Sequence, residues 1–270
     1  MKGAALAVRI FAGLAVGLVT AFLVLPVVAL LLRVSPRGLL AELADPEVRE
    51  ALRLSLATSF AATALVVLLG LPLAWLLASA RFPGKRILEV LVALPMVLPP
   101  TVAGLALLLA FGRAGLLGGA FSALGISIPF TTAAVVLAQM FVALPFFVGA
   151  AAAGIRGVSP LFGEVAATLG APRWYAFLKV IVPLGLPGLV AGAAMGWARA
   201  LGEFGATIIF AGNLAGVTRT MPLAVYVRFE TDLESAVALS VTLLAVSFGV
   251  LLAVRTGPFG APSDAVRAGR

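Results

Sequence analysis

Two ionisable residues, Arg199 and Glu203, interrupt an otherwise uncharged run from Trp197 to Ala211. Four residues apart on a helix, they share one face, and at membrane depth such groups are costly unless paired or turned toward water. They suit either a self-neutralising pair that holds a helix against its neighbours or the lining of a path or gate, with a proton relay a distant third. Glu164 is the other carboxylate placed to act on a partner. It lies in a segment where Leu161, Phe162, Val165, Ala166 and Leu169 recur at helical spacing, with Thr168 beside it.

Other chemistries are removed by composition. With no Cys and no His, the chain has no thiolate nucleophile, no disulfide, no Cys or His ligand for zinc and no His-ligated haem. Gly84-Lys85-Arg86 is the nearest fragment to a phosphate-binding loop. It lacks the hydroxyl residue and has Ser79 where the first glycine should stand, so Arg81 to Arg86 is expected to be a tight turn. The expectation is no catalytic centre, no metal site and no cofactor on this chain; any ATP that is used binds elsewhere.

The elements that position these residues belong in lipid. Of 270 residues, 62% are hydrophobic and 11% charged, and the mean hydropathy is +1.17, against about 25% charged in soluble domains. A core about 30 Å thick needs roughly 20 apolar residues of helix. Six stretches qualify: about Ile10 to Leu32, Leu54 to Ala80, Val90 to Phe111, Thr131 to Ala153, Leu184 to Ala211 and Ser235 to Val254. The first is too long for the apolar core of a signal peptide and is expected to be a retained anchor. The third carries Pro95, Pro99 and Pro100, which should kink or break it. The fifth holds Arg199 and Glu203 near its middle. The fold class is therefore an all-α membrane protein of six transmembrane helices, one domain over residues 1–270.

Six spans place both termini on one side. With the N-terminus inside, the inner segments hold 11 basic and 3 acidic residues and the outer ones 7 and 7. The positive-inside rule then makes both termini cytoplasmic and accounts for the net charge of +8 without a nucleic-acid partner. Gly185, Gly188, Gly192 and Gly196 form a ladder on the fifth span, suited to core packing, a dimer interface or a moving gate.

The longest inner connection, Gly154 to Pro183, is punctuated at both ends of a short helix. Ser159 suits an N-cap and Pro160 the first turn, Gly170 a left-handed stop, and Pro172 prevents continuation. About ten residues between them form an amphipathic helix too short to span, either lying on lipid headgroups or docking a soluble partner.

Glu164-Val165-Ala166, three residues, Gly170, nine residues and Val180-Ile181-Val182-Pro183 resemble the EAA loop of the permeases of ABC importers. There the pattern is Glu-Ala-Ala, three residues, Gly, nine residues, Ile-x-Leu-Pro; Val165, Val180 and Val182 are small apolar departures. The resemblance extends from about Glu50 to Arg255, including Arg81 to Arg86 and Leu94 to Pro100. It implies a type I ABC-importer permease architecture with a core at about 50–255 and a coupling loop at about 154–183. It also implies that Ser159, Leu161, Phe162, Glu164, Ala166, Leu169, Gly170 and Pro183 belong to the segment that couples to the ATPase.

The run Trp197 to Thr207, then Phe210 to Asn213 and Thr218 to Tyr226, is similar to the molybdate branch of these permeases; sulfate and thiosulfate permeases have similar Gly-Glu-Phe-Gly segments. The implied assembly is a homodimer with two ATP-binding subunits and an external oxyanion-binding protein, in the cytoplasmic membrane of a bacterium or archaeon. Arg199, Glu203 and Phe204 become candidates for the translocation path or gate. Asn213 to Glu234 becomes an external docking and gating surface, with Arg219 and Arg228 as candidate guides for a dianion. Tungstate matches molybdate in charge and nearly in size. The rival, a secondary carrier or intramembrane enzyme using Arg199 and Glu203, lacks inverted repeats in the one case and a second catalytic group in the other.

Overall fold

Helix punctuation in the sequence accounts for most element boundaries. In the computed structural model, residues 2–256 are described. The side chains of residues 2–8 and of Arg255 lie outside that description, as do Asp264, Arg267 and Arg270 from the inner charge count. The described residues contain no strand. The chain begins with α1 (Lys2–Arg33); Ser35 Oγ then accepts from Gly38 N and opens α2 (Pro36–Ala44), and Asp45 accepts from Glu47 N to open α3 (Pro46–Ser79). Gly84, at φ +86, makes the turn into α4 (Lys85–Val97). After Pro99 come α5 (Pro100–Phe111) and α6 (Gly118–Ala123), and Thr131 caps α7 (Thr132–Arg156) by accepting from Ala134 N. These side-chain acceptors satisfy amides that the first helical turn leaves free.

The second half consists of α8 (Pro160–Thr168), α9 (Arg173–Ala176), a π-helical turn over Phe177–Ile181, α10 (Val182–Leu201), α11 (Gly205–Phe210), α12 (Met221–Thr231) and α13 (Leu233–Thr256). Five helical runs are long and apolar enough to cross a bilayer, namely α1, α3, α7, the run Arg173–Leu201 and α13. The α4 and α5 pair makes six if it is one span, bent by 116°.

Packing register shows that it is. Gly70 of α3 faces Phe147 and Val148 of α7, and Leu77 shares a cleft with Ala152 and Arg156, so α3 and α7 run in the same direction. The chain must cross once between them. α4 begins that crossing beside Ala152, and α5 completes it among Ala134, Val135 and Ala138. α10 runs opposite to α7, with Gly188 against Gly154 and Gly196 near Ala143. α13 starts where α3 starts, as Leu239 packs with Val48 and Ala51. Both ends of the described chain therefore lie on the face that carries α8.

In lipid there is little hydrophobic drive between helices, so close approach of small residues matters more than apolar area. α7 is the central post, between α3 and α10. Phe147 is fully buried there, against Gly70 on one side and Gly192 on the other. All four glycines of the ladder face α7, so their small size is used inside this chain.

Two expected spans differ in form. The third breaks at Leu98-Pro99, where Pro99 and Pro100 cannot donate to the helix ladder. The fifth is not one helix over Leu184 to Ala211. It starts at Arg173, passes through the π-turn and ends at Leu201. The π-turn immediately precedes Pro183, whose missing N–H and bulky ring disfavour a normal turn; Val182 N donates to Phe177 O, five residues back.

Candidate coupling helix and buried ion pair

The α8 segment has the expected boundaries. Ser159 occupies the N-cap position and Pro160 the first turn, although the Ser159 side chain caps nothing. At the other end Gly170 takes φ +80, Gly170 N donates to Ala167 O, and Ala171 N donates to Ala166 O at 3.0 Å. This reciprocal pair is a Schellman stop, which only a residue at ease in left-handed conformation forms cheaply.

The faces of α8 are partitioned. Ala166 is buried against the protein, whereas Leu161, Phe162, Val165 and Leu169 are exposed, Leu169 at 82%. Glu164 is exposed, and its carboxylate forms no hydrogen bond or ion pair among the described residues. The helix thus presents an apolar face with one free carboxylate and no basic residue. It packs against α9 and the π-turn. Phe177 in that turn is buried and stacks on Trp75 of α3, with ring centroids 4.3 Å apart. Pro183 lies just beyond, at the foot of α10. α8 therefore touches the turn from which α10 rises.

About 30 Å away along the 20 residues of α10, the helix ends at the ionisable pair. Arg199 Nη1 lies 2.6 Å from Glu203 Oε2, with Glu203 1% exposed and Arg199 30%. Glu203 Oε1 accepts from Ala206 N at 2.7 Å. One carboxylate thus ends α10 with an ion pair and starts α11 with a backbone cap; this double use makes a break where the four-residue spacing suggested a continuous helix. Phe204 goes elsewhere. Its ring lies 5.3 Å from that of Tyr226, and it lines a cavity with Pro222, Val225 and Phe229 of α12. The three path candidates are close in sequence but divide between two surroundings.

The break is held by a close crossing that the sequence did not reveal. A Cβ on Gly205 would stand 2.5 Å from Pro100 Cβ, and one on Gly104 would stand 2.8 Å from Ala206 O. The two broken spans therefore meet at their breaks. Trp197 Nε1 donates to Ser59 Oγ at 3.1 Å, and Met221 N to Ser55 Oγ at 2.6 Å, tying α10 and α12 to α3. Gly104 and Gly205, four residues or fewer from prolines or a charged residue in apolar runs, were the available signal.

Arg219 and Arg228 are both paired with carboxylates far away in sequence. Arg228 Nη2 lies 2.5 Å from Asp45 Oδ2, and its Nε lies 3.7 Å from Glu42 Oε2. Arg219 donates to Asn213 Oδ1 at 2.9 Å and pairs with Glu47 at 3.4 Å. These bonds fasten α2 and α3 to α12 and to the segment just before it, which gives both arginines a structural use. Asp232 accepts from Glu234 N and Ser235 N at the start of α13. The Ser235 hydroxyl, and then these two amides, hold its carboxyl below the usual range.

Comparisons with known proteins agree with this architecture. Residues 70–255 match the family described as binding-protein-dependent transport system inner membrane component. The chain is 48% identical over 233 residues to the molybdenum transport system permease protein ModB of Mycobacterium tuberculosis, covering 86% of this chain and 88% of that protein. It is 38% identical over 213 residues to the sulfate transport system permease protein CysT of Escherichia coli, covering 78% and 77%. A solved bacterial ABC transporter that imports alginate superposes with a TM-score of 0.72 at 14% identity, covering 91% of this chain and 93% of that one, which shows a shared fold. With six helical crossings, a family match over most of its length and relatives that are transport permeases, the chain belongs to the binding-protein-dependent transport system inner membrane components.

Proposed function

We propose that the chain is the permease subunit of an ATP-driven importer for molybdate, working as a homodimer with two ATP-binding subunits and an external oxyanion-binding protein. The 48% identity to a molybdenum permease over 86% of the chain supports the substrate. The exposed apolar face of α8 carries the coupling role. A helix that rests on anionic headgroups is rich in Lys and Arg, and α8 has neither. Leu161, Phe162, Val165 and Leu169 suit a hydrophobic groove on the ATPase, Glu164 a basic partner there, and Gly170 fixes the angle at which α8 meets α9.

On this reading the α8 face is cytoplasmic, so both termini are inside. The chain performs no covalent chemistry. ATP-driven closure of the motor subunits draws the two α8 helices together, and the π-turn and α10 carry that movement to the Arg199 and Glu203 break, where the path opens outward. Hydrolysis resets it.

Uptake of labelled molybdate into proteoliposomes containing the permease, its ATP-binding subunit and the binding protein tests the proposal. ATP-dependent uptake that resists excess sulfate is the expected result. Uptake abolished by sulfate would move the chain to the sulfate branch, which the 38% identity to CysT supports as the second reading. Uptake without ATP would reject the mechanism.

A further inference from the structure

We propose that the cleft between α3, α4 and α7 on the α8 face binds an anionic phospholipid, with one acyl chain in the cleft and the phosphate at the turn before α4. The cleft has a volume of about 240 Å³ and apolar walls from Leu77, Val92, Met96, Pro145, Val148 and Ala152. Gly149 forms part of its wall, and a Cβ placed there would meet nothing within 4 Å. Glu89 and Arg156 stand at its mouth.

Glu89 also lines a second hollow of about 510 Å³, formed by Arg81, Phe82, Gly84, Lys85, Arg86 and Ile87. Gly84 at φ +86 turns the chain back, and Lys85 Nζ donates to Ala80 O at 3.1 Å, which fixes the ammonium beside the hollow with two N–H groups to spare. Among the described residues, none of Arg81, Lys85, Arg86 and Arg156 forms an ion pair. Four cations therefore surround the mouth of an apolar slot, against the single carboxylate of Glu89.

That combination selects the ligand. A small free oxyanion has charge complementarity with the basic hollow but nothing to place in the apolar slot. A helix of a second copy, about 10 Å across with its side chains, is too broad to enter it. A phospholipid has both parts in the right order, and basic pockets between helices at a membrane surface hold anionic headgroups. Assignment of the site to the cytoplasmic leaflet rests on the reading of α8 above; the site itself does not.

The test is native mass spectrometry of the full-length protein in its assembly, released from membranes of phosphatidylglycerol, cardiolipin and phosphatidylcholine. Retention of phosphatidylglycerol or cardiolipin over phosphatidylcholine is expected. Gly149→Leu fills the slot and should abolish retention while leaving the thermal transition and the assembly intact. Arg81→Gln with Arg86→Gln should leave the slot open but weaken the anionic preference about fivefold per charge removed. Equal retention by the wild type and Gly149→Leu, no preference for anionic lipid, or displacement of the lipid by molybdate would each overturn the proposal. So would a disulfide between two copies formed through Gly149→Cys, because it would put a second chain over the cleft. Loss of lipid retention in these variants leaves the molybdate reading untouched, which the uptake assay tests by itself.

Discussion

Gly188 of α10 meets Gly154 of α7 backbone to backbone: a Cβ on Gly188 would stand 2.6 Å from Gly154 Cα. Two rigid helices cannot separate there without losing the packing of Phe147 between Gly70 and Gly192. Gly188→Ala should therefore cost about 1–3 kcal/mol, the usual penalty of overpacking. Gly17→Ala, at a position where a Cβ meets nothing within 4 Å, should cost nothing measurable. Thermal unfolding in detergent compares the two.

The Arg199 and Glu203 pair should behave as a unit. Glu203→Leu removes both the ion-pair partner and the acceptor for Ala206 N, leaving the part-buried guanidinium of Arg199 unpaired and a buried amide without its acceptor. A loss of about 3 kcal/mol is expected. Adding Arg199→Met should recover part of it, so the double variant is more stable than Glu203→Leu alone. Strict additivity in the double-mutant cycle would show that the two side chains do not interact.

On α8, Gly170→Asp forces a side chain onto φ +80, and Glu164→Lys inverts the free charge. Both variants should insert and assemble in the membrane normally yet lose ATP-driven uptake. Ser159→Ala should be silent in both assays, since the Ser159 hydroxyl caps no amide. Normal uptake by Gly170→Asp and Glu164→Lys would remove α8 from the coupling route.

Asp232 supplies a pH test. Its carboxyl is held below its ordinary range in the folded state, so the ionised form is favoured by folding. The stabilisation it brings is complete above about pH 4, the ordinary carboxylate value, and is lost as the pH falls through the lower folded value. Asp232→Asn should melt earlier than the wild type at pH 7, with the difference shrinking toward pH 3. A difference that grows on acidification would contradict the cap.

What can be read from the sequence is local. Pro160, Gly170 and Pro172 act within a turn or two, so residue types alone mark the limits of α8. They do not mark the break after Leu201, because glycine is common in membrane helices and the decisive bond, Glu203 to Ala206 N, competes with an equally plausible helical turn. Pro183 follows the π-turn by two residues, although helical periodicity continues on both sides of it. The partners of Arg219 and Arg228 cannot be found locally, since Glu47 and Asp45 lie 172 and 183 positions earlier. Free-looking cations in a loop are in fact the ties between distant helices.

The three tryptophans occupy three different stations along one line of contact. Trp174 is exposed beside α8, Trp75 stacks on Phe177 at the π-turn, and Trp197 is buried with its indole N–H on Ser59. An indole reports its own polarity and its ring neighbours through its emission. With no engineered dye, fluorescence of single-tryptophan variants can therefore time, station by station, the arrival of a partner at the foot of the molecule and the response at its far end.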